Sequence, residues 1–364
     1  MTAEANLMNA GTRSSTLRRS VLIAVEIAIT VGALLVLFRG IDIPETARSF
    51  RKANYWLLAP AIVFLILDLQ FRAVRWRLLL SPHPGLRHSN LFGATNVGYL
   101  VNDVLPFRAG EVARVFLIDE LEKIGKVRSA ASIAVERGID VIAMVALIIA
   151  LFPFIDEPSW THGPALLIGG GALAAFMLLI ALSHVNETDR AFWKAWLRRV
   201  PRVGEQLEQA SNTMLVALHP LRRVVTLASV IALTAIIWAC GTLSFLMVMK
   251  AFHLDVGFPA AAIVIGATTL GMVVPSSPGY VGVFHAIAVK TLTEVFGIPK
   301  ESALTYAVAQ HAVIYFVPAA LGATFLLNHR SMWHDFAALI GLRARRPAAP
   351  AAGERTLVPE SVES

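Results

Sequence analysis

Charge is scarce in this chain and cysteine almost absent. Only 16% of the 364 residues are Asp, Glu, Lys or Arg, against 56% apolar residues and a mean hydropathy of +0.64. A soluble domain of that length has nowhere to bury so much apolar surface. The one cysteine, Cys240, lies in an apolar run, which excludes an intrachain disulfide framework and a thiolate metal cluster. The sequence has no Gly-x-x-x-x-Gly-Lys-Ser/Thr loop to cradle ATP phosphates and no Gly-x-Ser-x-Gly elbow for a serine nucleophile. It also lacks a histidine pair at zinc-ligand spacing on one helix. No catalytic set emerges, no metal site and no cofactor, so the expectation is a protein that is not an enzyme.

What is present is a series of long apolar runs. Segments 21–38, 55–71, 138–155, 164–183, 224–249 and 302–327 read as full or near-full membrane spans, each close to the roughly 20 residues a bilayer crossing needs. The net charge of +7 does not point to nucleic acid, because Lys and Arg cluster at the ends of these runs, where they fix topology and meet anionic lipid. Arg13 and Arg18-Arg19 before the first run resemble a signal sequence. Arg39-Gly40-Ile41-Asp42 follows rather than a small-residue cleavage site, so an uncleaved anchor is expected.

One run does not fit a single crossing. From Phe258 to Val289 there is no charged residue, and Pro275-Ser276-Ser277-Pro278-Gly279-Tyr280-Val281-Gly282 interrupts its centre. Two half-helices joined by a turn fit better than one long helix, and the exposed backbone of the turn must then be covered by protein or line a polar cavity. The alternative is a proline kink in a long tilted helix. A weaker stretch, 89–106, carries Asn90, Asn96, Asn102 and Asp103 and ends in Val104-Leu105-Pro106-Phe107-Arg108-Ala109-Gly110-Glu111-Val112. That end shares Val-x-Pro-x-x-x-Gly-x-Val with residues 273–281, and matching stretches upstream and downstream keep nearly the same offset. The pattern is an internal repeat of span, broken segment, span.

With the N-terminus in the cytoplasm, 24 of the 32 basic residues fall on the cytoplasmic side and 7 outside, the lopsidedness that membrane insertion favours. This works only if both broken segments re-enter without crossing, one from each side. The expected fold is therefore an all-α, polytopic integral membrane protein, an inverted repeat with two broken re-entrant helical hairpins. Residues 1–19 form a cytoplasmic N-terminal segment. Residues 20–330 form the transmembrane domain, with halves at about 55–155 and 224–327, and 331–364 form a partly disordered cytoplasmic tail. Phe192, Trp193, Trp196, Leu197 and Val200 recur at helical spacing opposite Lys194, Arg198 and Arg199, an interfacial helix or one packed on the protein.

The candidate binding residues gather at the breaks. Asn102, Arg108, Gly110, Glu111 and Arg114 flank the first, and a helix beginning near Gly110 would aim its amides and positive dipole end at an anion such as phosphate. Arg108 would add charge-assisted hydrogen bonds. The alternative for Arg114 is an exposed cluster that only sets topology. Glu136, Arg137 and Asp140 open an otherwise apolar span, where ionisable groups are costly and mark function by default, although the trio could also neutralise itself as a structural network. Pro275, Pro278, Gly279 and Gly282 permit close backbone approach at the second break, with His285 and Gln310 as polar groups at membrane depth. Asp68 and Glu26 are read as packing or interface residues.

Asn102-x-x-Leu105-Pro106-x-Arg108-x-Gly110-Glu111-x-x-Arg114, Glu136-Arg137-x-x-Asp140 and Pro275-Ser276-Ser277-Pro278-Gly279-Tyr280-Val281-Gly282-Val283 together resemble the flippase-like transmembrane domain of lysylphosphatidylglycerol synthases and its stand-alone relatives. Phe107, Tyr280 and His285 depart from that family's usual Gly, Gly and Glu. The resemblance covers roughly residues 20 to 330 and implies movement of a lipid or lipid-linked headgroup between leaflets of an inner (plasma) membrane. About 35 residues follow the last span, too few for the aminoacyl-transferase domain of the synthases, so a stand-alone member is expected. The expected partners are membrane lipids with an anionic or zwitterionic headgroup, with room for a homo-oligomer and a lipid-modifying enzyme, and no nucleic acid. An intramembrane enzyme or a scaffold in hopanoid or polyprenyl-phosphate metabolism is the alternative. Proton coupling through His285 or Glu136 and exchange against another lipid gradient both stay open as energy sources.

Overall fold

The computed structural model describes residues 42–83, 85–105, 108–151, 212–272 and 278–329, together with a few isolated positions. The expected spans 21–38 and 164–183, the interfacial helix near 190–200, and Pro275 lie outside those residues. The described part is all helix: α1 (Ile43–Lys52), α2 (Leu58–Leu79), α3 (His88–Val104), α4 (Ala109–Glu122), α5 (Lys126–Leu151), α6 (Val224–Ala251), α7 (Phe258–Gly271), α8 (Val283–Phe296) and α9 (Lys300–Asn328). No strand occurs among the described residues. The stretches Tyr55–Leu79, Val224–Ala251 and Lys300–Asn328 are long and apolar enough to cross a membrane. The protein is an all-α membrane protein.

Helix ends follow local chemistry. Asp42 caps α1, its carboxylate accepting from the Glu45 N–H at 3.0 Å, and Pro44 sits in the first turn where no donor is lost. Helices α4 and α8 both close on a left-handed residue, Lys123 (φ 53°) and Gly297 (φ 64°). Within the apolar helices the hydroxyls of Thr234, Thr242 and Thr268 donate to the carbonyl four residues back, so each polar group is satisfied without a partner in lipid.

The packing repeats. Helices α2–α5 correspond to α6–α9, and exchanging the two sets maps the helix contacts onto themselves: α3 on α4 becomes α7 on α8, α4 on α5 becomes α8 on α9, and α3 on α9 becomes α7 on α5. The pair α2 and α6 is its own counterpart and is antiparallel. Arg75 near the end of α2 donates to Thr234 near the start of α6 at 3.0 Å, while the Asn54 N–H, just before α2, donates to Ala251 at the end of α6 at 2.8 Å. An exchange that reverses the central helices relates the halves by a two-fold axis across the bundle, which is an inverted repeat.

Each half contains a broken hairpin. The run from Phe258 is not one kinked helix: α7 ends at Gly271 and α8 starts at Val283, and the described residues between them include a 3₁₀ turn at Pro278–Tyr280. Helices α3 and α4 approach so closely that a Cβ on Gly110 would collide with the Gly98 carbonyl oxygen and with Asn102. Gly271 packs in the same way against Ile287. The tips of the two hairpins meet, the Arg108 guanidinium donating to the Met272 carbonyl at 3.3 Å.

The structure also moves two boundaries. The helix expected over 55–71 runs on to Leu79, so Arg72 and Arg75, which fall beyond the expected end of that span, lie inside it. The span expected from 138 begins at Lys126, which puts Glu136, Arg137 and Asp140 in mid-helix.

Candidate functional site

The membrane-depth charges assemble into one network contributed by three helices. Helix α2 supplies Asp68, Arg72 and Arg75 at a spacing that puts them on one face. From α5 come Glu136, Arg137 and Asp140, and from α4 comes Arg114. Arg72 bridges Asp68 at 2.8 Å and Asp140 at 3.3 Å, and Arg75 meets Asp140 at 2.7 Å. Arg114 grips both oxygens of Glu136, at 3.3 and 3.1 Å, while its guanidinium carbon lies 4.2 Å above the Trp76 ring. Arg137 pairs with Glu136 and reaches Asp140 at 3.5 Å. The Trp76 indole donates to Ser132 at 3.0 Å, which fixes α2 on α5. A charge taken into such surroundings is tolerable only when paired and hydrogen-bonded in this way.

Part of the network is sealed and part faces a cavity. Arg75 is 0% and Glu136 1% exposed, and Arg114 is buried. Arg72 and Arg137, by contrast, border a cavity of about 220 Å³ enclosed by α2, α3, α4, α5, α6, α7, α9 and the second hairpin tip. Arg108, Asn102, Asp103 and Glu111 line it from the first break, and Gly279 and Tyr280 from the second. From α9 come His311, Tyr315 and Pro318. Proline at 318 denies the Ile314 carbonyl its helical partner, and both residues border the cavity, which is where a freed carbonyl at membrane depth is tolerated.

The breaks are held in left-handed backbone. Arg108 has φ 52°, and Gly279, Tyr280 and Gly282 have φ of 68°, 58° and 89°. For Arg108 and Tyr280 that conformation costs energy that glycine would not incur. Arg108 is about one-third exposed; besides Met272 its nearest polar partner is Glu111, at 3.8 Å. His311 Nε2 lies 2.8 Å from the Gly279 carbonyl, and the Tyr315 hydroxyl donates to the Asp103 carbonyl at 3.5 Å, so α9 ties the two tips together.

The remaining candidates sit elsewhere than expected. The Gly110 N–H donates to Asn102 Oδ1 at 2.7 Å, so the amide expected to meet an anion is capped from within the protein. Gly110 itself serves the close crossing with α3. His285 lies behind the cavity lining, accepting from the Gly282 N–H at 3.4 Å with its ring 4.7 Å from that of His311. Gln310 is fully buried, and its amide atoms have no hydrogen-bond partner among the described residues. Pro278 opens the 3₁₀ turn, and Gly282 precedes α8 as its N-cap. Asp68, Arg72 and Arg75 were missed. Their spacing, continuing the face of an apolar run past its expected end, was the available signal.

Comparison with known proteins places this arrangement. A family model for the lysylphosphatidylglycerol synthase TM region matches residues 23–322. The chain is 24% identical over 330 residues to the glycosyltransferase AglD of Haloferax volcanii, covering 81% of this chain and 52% of that protein. It therefore spans about half the length of that relative. It is 20% identical over 331 residues to the UPF0104 membrane protein PH1989 of Pyrococcus horikoshii, with 84% of this chain and 96% of that protein covered.

Proposed function

Because the chain belongs to the lysylphosphatidylglycerol synthase TM-region family, we propose that it translocates a membrane lipid between leaflets of an inner membrane, with both termini cytoplasmic. The observation that carries this reading is the cavity where two oppositely entering hairpins touch. It lies at the crossing of an inverted repeat, and side chains of both charge signs stand in its otherwise largely apolar wall. Arg72, Arg108 and Arg137 supply cations for a phosphate, while Asp103 and Glu111 favour an ammonium, so an anionic or zwitterionic headgroup fits. Arg75, Arg114 and Glu136 hold the wall rigid behind them. The tip-to-tip hydrogen bond from Arg108 to Met272 is a contact that a phosphate would compete for, and its release would let the hairpins part.

The likeness to about half of AglD favours a second reading, a membrane module or scaffold serving a transferase reaction. One experiment separates the two. The purified chain is reconstituted in liposomes carrying headgroup-labelled lipids, and leaflet exchange is followed beside Arg108→Ala and Glu136→Gln. Exchange by the intact chain, lost in folded Arg108→Ala, supports translocation. No exchange across a broad lipid panel by folded intact chain refutes it in favour of the second reading.

A further inference from the structure

The charge-bearing cavity has an apolar neighbour. Between α5 and α6 runs a groove of about 540 Å³, lined among others by Ile139, Ala143, Ala146, Ala150, Ala235 and Ala239. Its walls are mostly small or aliphatic, with Trp238 and Phe258 as aromatic members, and α6 is one of the helices long and apolar enough to cross the membrane. Protein or hydrocarbon must fill such a groove at that depth.

Trp238 borders both spaces. Its ring packs with Met144 and Ile265. The indole N–H has no hydrogen-bond partner among the described residues although the residue is only 6% exposed, and Ser244 on the cavity wall likewise has an unpartnered hydroxyl at 1% exposure. An aromatic side chain in the wall shared by an apolar groove and a cavity that carries charged side chains sits as tryptophan does at the junction of lipid chains and headgroups. On α5 the division falls between adjacent residues, with Asp140 on the cavity and Ile139 on the groove.

The groove's length agrees with this. From Ile139 to Ala150 α5 rises about 16 Å at 1.5 Å per residue, close to half of the roughly 30 Å hydrocarbon core. It extends from the charged centre across one leaflet.

We infer that the α5–α6 groove holds a hydrocarbon chain of the lipid whose phosphate occupies the cavity, with Trp238 at the join between head and chain. This rests on the lipid-translocation reading, but it concerns the tail alone. The cavity's guanidiniums choose the anion, and the groove selects for a chain long enough to span a leaflet.

The test uses the full chain in nanodiscs containing phosphatidylglycerol with a diazirine at mid-chain. The expected result is photolabelling of α5 or α6 peptides, reduced at least about fivefold in Ala146→Phe and in Ala239→Phe, which fill the groove from opposite walls. Both variants should still bind sn-glycerol 3-phosphate as the parent does. Arg137→Ala should lose glycerol phosphate binding, which reports on the headgroup reading independently. Labelling confined to other helices, labelling unchanged in both folded groove variants, or cross-links showing the groove filled by residues 152–211 or by a second copy would overturn the tail site and leave the headgroup site standing. Failure of the parent to bind glycerol phosphate or exchange lipid would overturn the translocation reading itself, and the tail inference with it.

Discussion

Removing the Glu136 carboxylate while leaving its arginines isolates what the charge network is worth. Glu136 is 1% exposed, and both its oxygens are held by Arg114, which is itself 5% exposed. Glu136→Ala leaves that guanidinium buried with no counter-ion. Arg137 is less affected, because its side chain is 32% exposed and keeps Asp140 at 3.5 Å. Orphaning one member of a buried pair costs about 3–5 kcal/mol. At roughly 2 °C per kcal/mol for a domain of a few hundred residues, the unfolding midpoint should fall by about 6–10 °C. Replacing both partners, as in Arg114→Met with Glu136→Leu, removes the charge that would be stranded and should recover most of the loss, since apolar substitutes for a buried pair are often neutral. The assay is thermal unfolding in detergent micelles of the parent, Glu136→Ala, Arg114→Met, Glu136→Leu and the double Arg114→Met with Glu136→Leu, the last three read against the parent as a double-mutant cycle with an expected coupling above about 1 kcal/mol. A single variant within about 1 °C of the parent, or a double as unstable as Glu136→Ala, would refute the reasoning.

Two further perturbations separate stability from function. Arg108 adopts a left-handed conformation that costs an L-residue about 1–2 kcal/mol and glycine nothing. Arg108→Gly should therefore unfold no lower than the parent while losing lipid exchange, and a lowered midpoint with exchange retained would count against the assignment. Asn102→Ala removes the acceptor capping Gly110 and should lower the midpoint by about 2 °C, for a cap worth roughly 1 kcal/mol. Asn102→Asp, which keeps the acceptor oxygen, should restore it.

The fold was legible where the sequence carried a strong period or a strong break. The prolines and glycines of 275–282 left no way to continue a helix, and the repeated Val-x-Pro-x-x-x-Gly-x-Val tied that break to its partner. Their shared offset was less exact than the motif suggested. Arg108 and Gly282 each stand immediately before the returning helix, and the second break is longer and carries the extra turn at Pro278–Tyr280. The site was half legible. Glu136, Arg137 and Asp140 announced themselves by their cost in an apolar helix, whereas Arg72 and Arg75 stood where a hydropathy window loses the span and so counted as loop. Asp68 looked isolated because its partner, Arg72, four residues on, fell beyond the expected span, and the next link in the network, from Arg72 to Asp140, is on α5. Capping of Gly110 by Asn102 could not be read at all, since it depends on how closely α3 and α4 cross.

The exchange of α2–α5 with α6–α9 has an energetic meaning. If the two halves were identical, swapping their conformations would give a second structure of equal energy, open toward the opposite side, and the protein would divide its time evenly between the two. Whatever differs between the halves is thus what sets the resting preference. Among the described residues, one break carries an arginine and the other a longer loop with its own turn, and the ion network belongs to the first half alone. On the proposed translocation reading, these features would act as a thermodynamic bias on a molecular seesaw, and substitutions among them should tilt the balance between its two positions even where they touch no ligand.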